Sequence, residues 1–245
     1  MSGHSKWSTI KRKKGEQDAK RGNIFTKLAK AVTVAAKLGG GETEMNPSLQ
    51  LAIAKARAAN MPNANIKRAI EKGTGESKEG GQIENILYEG YGPAGTALLI
   101  DVITDNRNRA SASLKHTLSR FGGSLGGTGS VAWMFKKRGV LCLKKAQLSD
   151  ELELQLIDWG AEEIKEEDSV VEILTPFEKL NTIKLALEKK GITPENAEIT
   201  YHPTTAILIK NPEEAGRMVR LMEELEEDED VNEVYANFEI EEGLC

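Results

Sequence analysis

From Asn23 onward, Ile24, Leu28, Ala31 and Ala35 recur at the spacing of one helical face, Phe25 and Val32 widen the stripe, and the GGG at 39–41 ends it. On a helical projection Lys20 and Lys27 fall almost in line, with Lys30 and Lys37 within about a quarter turn, which predicts a basic outer side opposite the apolar one. A second predicted helix opens with Asn46 as N-cap and Pro47 at its first position, buries Leu49, Ala52, Ile53 and Ala56, and stops before Pro62. A third, capped by Asn63 or Asn65, turns Ile66, Ala69 and Ile70 inward and ends at Gly73 and Gly75. Residues 1–22 show no sustained apolar period, and Gly3, Gly15 and Gly22 interrupt any helix, so this stretch reads as an arm.

Past a Gly-rich, charged linker around 73–81 the period switches to strands. TALLIDVIT (96–104), GSVAWMF (129–135) and GVLCL (139–143) read as strands, with a helix over 106–121 burying Ala110, Leu114 and Leu118. A helix from Ser149 to Trp159, strands near Glu162–Lys165 and Ser169–Leu174, a helix from Phe177 to Lys190 and a strand near Glu198–Tyr201 complete a βαββαβ order with GVLCL, the order of a ferredoxin-like unit. TTAILIK (204–210), an acidic helix from Pro212 to Glu227 and VNEVYANF (231–238) spell another βαβ, which pairs with the strand, helix and strand of 96–135.

The predicted fold class is therefore α+β: a small three-helix domain followed by two ferredoxin-like (βαββαβ) domains, one inserted into the other. The expected boundaries are a basic arm over 1–22, a helical domain over 23–79, a discontinuous α+β domain over 80–136 plus 204–245, and an acidic insert over 137–203. Three short Ala-rich helices make a marginal core by themselves, so this domain is expected to lean on something larger or on a partner.

Charge changes the picture. Residues 1–80 sum to +9, residues 81–140 to +3 and residues 141–245 to −17, so the overall −5 conceals a basic end. Clustered Lys and Arg attract polyanions and speed encounter with them, which makes nucleic acid the leading candidate partner, against the plain alternative of solvated helix ends. The longest apolar stretches are strand-sized, far below the ~20 residues that cross a bilayer, so no membrane association is expected. Two cysteines, Cys142 and Cys245, fit a reducing cytosol, and the expected location is the cytoplasm.

No catalytic or metal constellation stands out. His4, His116 and His202 are scattered, HExxH and CxxC are missing, and Cys142 is expected in the core of its strand; no enzyme activity, cofactor or metal is predicted. The glycine run FGGSLGGTGS (121–130) leaves a helix and enters a strand, the reverse of a phosphate loop, and reads as a flexible connection. TDNRNR (104–109) has the better geometry: Asp105 or Asn106 caps a helix whose positive end lies beside Arg107 and Arg109, a place to hold a phosphate or merely a cap with solvated arginines. YEGYGPAG (88–95) is either a turn with packed tyrosines or an aromatic surface for base stacking. The acidic run EELEEDED (223–230) reads as a solvated helix end, with an ion site or a shield against the basic arm as further readings.

MSGHSKWSTIKRKK, FTKLAKAVTVAAKLGG, NPSLQLAIAKARAANMP, YEGYGPAG, TDNRNR and FGGSLGGTGSV together resemble the YebC/PmpR family nearly end to end, with the specific blocks lying before about residue 139. That resemblance implies a cytoplasmic, non-enzymatic protein of three domains. Family members are described as transcriptional regulators that bind promoter DNA, and mitochondrial relatives and some bacterial members as translation factors acting on the ribosome, including at proline-rich stalls.

The residues bear on that choice only in part. Lys6, Lys11, Arg12, Lys13, Lys14, Lys20, Arg21, Lys27 and Lys30 are the candidate backbone contacts, Trp7 a candidate stacking residue, and Arg107 and Arg109 secondary candidates. Asn63, Asn65, Lys67 and Arg68 on the third helix are of the types that read base edges. The expected function is a nucleic-acid-binding regulator of gene expression, a DNA-binding transcriptional regulator first. An RNA- or ribosome-binding translation factor is the alternative and a protein-interaction scaffold the second. The monomer is the default oligomeric state.

Overall fold

The computed structural model describes residues 18–76, 83–166 and 169–241, with side chains in the first helix described from Gly22 onward. Helix α1 (Asp18–Gly39) starts earlier than its apolar period indicates and runs through Gly22. An interior glycine costs only about 1 kcal/mol relative to alanine, which a helix of 22 residues packed along its length absorbs. Helices α2 (Pro47–Ala58) and α3 (Asn63–Thr74) follow. Their inner faces join in one cluster: Val32, Ala35 and Ala36 of α1, Leu49, Ile53 and Ala56 of α2, Ile66 and Ala69 of α3.

Two polar details set how the helices meet. The Asn46 side chain accepts from the Leu49 N–H at 3.0 Å as the predicted cap, while its amide donates to the carbonyls of Ala35 and Gly40 at 2.8 and 2.9 Å. One buried side chain thus satisfies orphan groups at the end of α1 and the start of α2. Gly73 lies inside α3 rather than ending it; a Cβ there would collide with the Thr33 carbonyl of α1 and sit 2.7 Å from the Ala36 side chain. Gly75, at φ 81°, is the residue that closes α3. Neither Asn63 nor Asn65 caps this helix; Pro62 holds the N-cap position with no side-chain bond.

By compactness the chain divides into two units. One takes the described residues up to Phe135 and from Pro203 onward, and the other is Lys136–His202. In the first, the helices share the unit with an antiparallel sheet of β1 (Glu84–Tyr91), β2 (Ala97–Thr104), β3 (Ser124–Leu125) and β9 (Val231–Ala236) in the order β3-β1-β2-β9. Helices α4 (Arg107–Arg120) and α7 (Pro212–Glu227) pack on Leu98, Ile100 and Val102 of β2 through Leu114, Leu118, Met218, Leu221 and Leu225. Leu99 and Ile103 of β2 are buried as well, and α1 packs against β2 and β9. Strand β8 (Ile207–Ile209) stays out of this sheet and pairs in parallel with β10 (Phe238–Ile240). Beside β2 runs β1, from the segment whose second half reads as a turn in the sequence.

The second unit holds β4 (Phe135–Lys144), α5 (Asp150–Trp159), β5 (Glu163–Glu166), β6 (Val170–Pro176), α6 (Leu180–Lys189) and β7 (Asn196–Pro203), with β4 and β7 reaching one residue past its limits. The order β5-β6-β4-β7 is that of the ferredoxin-like arrangement. Cys142 is half-buried rather than in the core. Where the chain returns to the first unit, Thr204 donates through its N–H at 2.8 Å and its hydroxyl at 3.0 Å to the Met134 carbonyl, so exit and return lie side by side. Among the described residues no helix is long and apolar enough to cross a membrane.

The predicted strand 129–135 is absent, and Glu89 is the reason. Its buried carboxylate accepts from the N–H groups of Gly129, Val131 and Ala132 at 2.6, 2.7 and 2.7 Å. Those amides, turned toward one side chain, leave the segment as a loop and a single 3-10 turn; the strand starts only at Phe135 and absorbs GVLCL. The Tyr91 hydroxyl and the Trp133 indole N–H both donate to the Ser130 carbonyl, at 3.2 and 3.1 Å, so the end of the glycine run is a fastened loop.

Burial pushes the Glu89 carboxyl up, but the backbone hydrogen bonds from residues 129 to 132 outweigh it and hold its pKa below the ordinary glutamate value of 4.5. The stabilisation is therefore present above 4.5 and is lost as pH falls through the depressed native value. Glu89→Gln, which turns an NH2 group toward amide donors, is expected to lower stability at neutral pH by about 1.5–3 kcal/mol. Urea unfolding at neutral pH and at acid pH checks this, with the difference between wild type and variant shrinking on acidification.

Candidate functional site

From Lys27 onward the basic side of α1 faces protein. Lys27 donates to the Glu226 carbonyl, Lys30 to the Glu229 carbonyl at 2.9 Å, and the Asn23 side chain to the Glu227 carbonyl at 2.7 Å. These carbonyls lie at and just beyond the C-terminal end of α7, where they lack helical partners and the helix dipole is negative, so cations are favoured there.

Asp230, just past that end, is the centre of a charged cluster. Lys30 reaches its Oδ1 at 2.9 Å, and Arg109 binds the same carboxylate through Nε at 3.1 Å and Nη2 at 2.9 and 3.0 Å, while also pairing with Asp105 at 2.9 Å. Burial pushes the Asp230 carboxyl up; hydrogen bonds from Lys30 and then Arg109, with their charges, outweigh this and hold it below the ordinary aspartate range. Arg109 is raised above its usual value, first by its hydrogen bond to Asp230 and then by that to Asp105. Nearby, the Ser113 hydroxyl donates to Asp228 at 2.6 Å and Arg120 pairs with Glu224. The acidic run therefore fastens α1 and α4 to α7 instead of being simply solvated.

The sequence-derived candidates separate accordingly. Lys6, Trp7, Lys11, Arg12, Lys13 and Lys14 lie outside the described residues; Lys20 and Arg21 fall in the first turn of α1, their side chains outside the description. Lys27, Lys30 and Arg109 are brought together around residues 226–230. Arg107 opens α4 at the surface, where its backbone carbonyl accepts from the Tyr88 hydroxyl at 3.4 Å and, among the described residues, its side chain has no ion pair. Asn106 caps α4 by accepting from the Arg109 N–H at 3.0 Å, as expected. Tyr88 and Tyr91 are half-buried in and at the end of β1, not spread as a stacking surface.

A second basic surface lies on α2 and α3, which carry Lys55, Arg57, Lys67, Arg68 and Lys72 against the single acid Glu71. The turn between them, residues 59–62, places Asn60 in the left-handed region at φ 60°, a conformation asparagine tolerates. Asn63, Ala64, Lys67 and Arg68 share the exposed face of α3. The Arg68 guanidinium donates to the Asn65 side-chain Oδ1 at 2.5 Å, and Lys67 has a loose pair with Glu71 at 3.7 Å. Arg57 and Lys72 did not emerge as candidates from the sequence; the shortage of acids across 47–74 was the available signal. Among the described residues no His, Cys, Asp and Glu group is arranged to hold a metal ion.

Comparison with known proteins covers the chain almost completely. Residues 5–76 match the TACO1/YebC protein N-terminal domain, and residues 83–238 match the TACO1/YebC second and third domain. A probable transcriptional regulatory protein of Syntrophobacter fumaroxidans is 49% identical over 241 residues, covering 98% of this chain and 96% of the relative. Another of that name from Moorella thermoacetica is 48% identical with the same coverage. A crystal structure of a conserved hypothetical protein from Aquifex aeolicus superposes with a TM-score of 0.83 at 42% identity, over 94% of this chain and 95% of that one.

The Asp230 cluster generates a stability prediction. Asp230→Asn leaves Lys30 and Arg109 without their shared acid; because the Arg109 side chain is 54% exposed, water recovers part of the loss, and the expected cost is about 1–3 kcal/mol. The carboxylate's contribution is present above the unfolded aspartate pKa and is lost as pH falls through the depressed native value. Thermal unfolding at neutral pH should show the variant less stable, with the gap closing in acid.

Proposed function

This chain belongs to the TACO1/YebC family, and on that footing we propose that it is a non-enzymatic, cytoplasmic, nucleic-acid-binding regulator of gene expression, acting as a DNA-binding transcriptional regulator of the YebC type. The observation that carries the reading is the α2–turn–α3 surface. Two helices joined by a four-residue turn place Asn63, Lys67 and Arg68 outward from the N-terminal half of the second one. This is where a helix-turn-helix protein presents base-reading side chains, and these residue types suit base edges and phosphates. Arg107 and the basic arm with Lys6, Lys11, Arg12, Lys13, Lys14, Lys20 and Arg21 add sequence-independent phosphate affinity. Lys27, Lys30 and Arg109, engaged with the 226–230 segment, act on this reading as supports of the surface rather than as contacts.

The second reading is an RNA- or ribosome-binding translation factor. Trp7 within the basic arm favours it, since an aromatic side chain among phosphate-binding residues suits unpaired bases.

Reversing the charges of Lys11, Arg12, Lys13 and Lys14 is expected to abolish most binding at low salt, and unchanged binding to DNA, RNA and ribosomes would remove the arm from the site. Asn63→Ala is expected to cost about 1–3 kcal/mol on a preferred sequence and to relax its specificity, whereas Lys67→Ala should weaken binding to all sequences and reduce the salt slope by about 1. Ultraviolet cross-linking in cells decides the polymer: discrete promoter fragments support the DNA reading, and recovery confined to ribosomal RNA overturns it.

A further inference from the structure

Beside the exposed face of α3, a cleft of about 460 Å³ opens between α1, α3 and the residues that flank the sheet at Ile83 and Asp105. Met61, Ala69 and Thr33 are its buried lining residues, and Phe25, Ala29 and Ile83 continue the apolar lining. Thr26, Arg68, Lys72 and Asp105 are exposed and form its rim.

The charges of this cleft do not balance locally. Lys30 is matched by Asp230, and Asp105 by Arg109. Among the described residues Arg68 contacts only neutral acceptors, the Asn65 side chain and the Ala64 carbonyl, and Lys72 has no ion pair. Two uncompensated cations one helical turn apart thus stand over an apolar, partly aromatic hollow. That combination suits a ligand with a flat apolar body and a phosphate, and the volume falls within the usual ~300–1,000 Å³ of small-molecule pockets.

We propose that this cleft holds one unpaired nucleotide of the bound nucleic acid, with the base against Phe25 and Ile83 and its phosphate between Arg68 and Lys72. The proposal rests on the nucleic-acid reading above and adds that the target offers a nucleotide outside a duplex, because paired bases are stacked out of reach of a concave pocket. Base burial against apolar and aromatic side chains contributes without regard to sequence, and the cations fix the strand's position along α3.

The test uses the full chain and one sequence of about ten nucleotides, a length that single-strand sites accommodate, as single-stranded RNA, single-stranded DNA and duplex DNA. Thr26→Trp fills the cleft without altering charge, and Lys72→Ala removes one cation from its rim; thermal unfolding confirms that each variant folds. Thr26→Trp is expected to lower single-strand affinity about tenfold with duplex affinity unchanged, consistent with the loss of one stacked base, and Lys72→Ala to lower it several-fold. The sugar whose single strand binds more tightly identifies the source of the nucleotide. Single-strand affinity unchanged in both variants, with duplex still bound, overturns the cleft proposal alone. Wild-type protein that binds none of the three polymers overturns the nucleic-acid reading and this proposal with it.

Discussion

One carboxylate is shared by two cations from different parts of the chain. Asp230 follows α7, Lys30 sits in the middle of α1 and Arg109 in the first turn of α4, so the three helices are referred to one point. The helical cluster and the cluster beneath the sheet are separate. A helical domain of this size has a marginal core of its own, so the packing of α1 on β2 and β9 is reinforced by polar fixings to the larger body. Lys27 and Asn23, bound to the carbonyls of Glu226 and Glu227, repeat the attachment along α1. With α1 anchored, α2 and α3 are positioned through their packing against it, and so is the basic surface they carry.

This fixing reinterprets the division of charge along the chain. The acidic run does not stand at the far side of the molecule from all the basic residues; part of it neutralises the basic side of α1 through backbone carbonyls and Asp230. On the proposed reading, the positive charge offered to a partner is then that of Arg57, Lys67, Arg68 and Lys72 on α2 and α3, together with Arg107. Neutralisation at the joint and excess at the surface are two uses of the same residue types, and only the fold separates them.

Features governed by neighbours in sequence were legible. The Asn46–Pro47 start of α2, the Asn106 cap of α4 and the limits of the acidic helix α7 follow from local capping chemistry and apolar period. The ferredoxin-like order of the insert follows from the succession of elements. What escaped was set by contacts distant in sequence. The segment Glu84–Tyr91 has acids and a glycine where a strand reading wants apolar alternation, yet β1 forms between β2 and β3 because Gly90 admits the close approach of Ser124 and Glu89 captures the amides of 129–132. That capture erased the expected strand at 129–135. For the site, a lysine bound to a helix end about two hundred residues away has the same local sequence signature as one reaching toward phosphate, which is why Lys27 and Lys30 could be grouped but not assigned.

The side-by-side exit and return at Met134 and Thr204 bears on how the molecule is made. Residues 136–202 separate the two parts of the first unit, and as an open coil that stretch would oppose their meeting with a loop-closure cost of roughly 3–4 kcal/mol. Once the second unit has folded, its ends stand close together and most of that cost disappears. The order of synthesis helps as well, because the second unit emerges complete before β8, α7 and β9 do. An insertion that folds first acts as an internal template, turning a long-range assembly into a nearly local one.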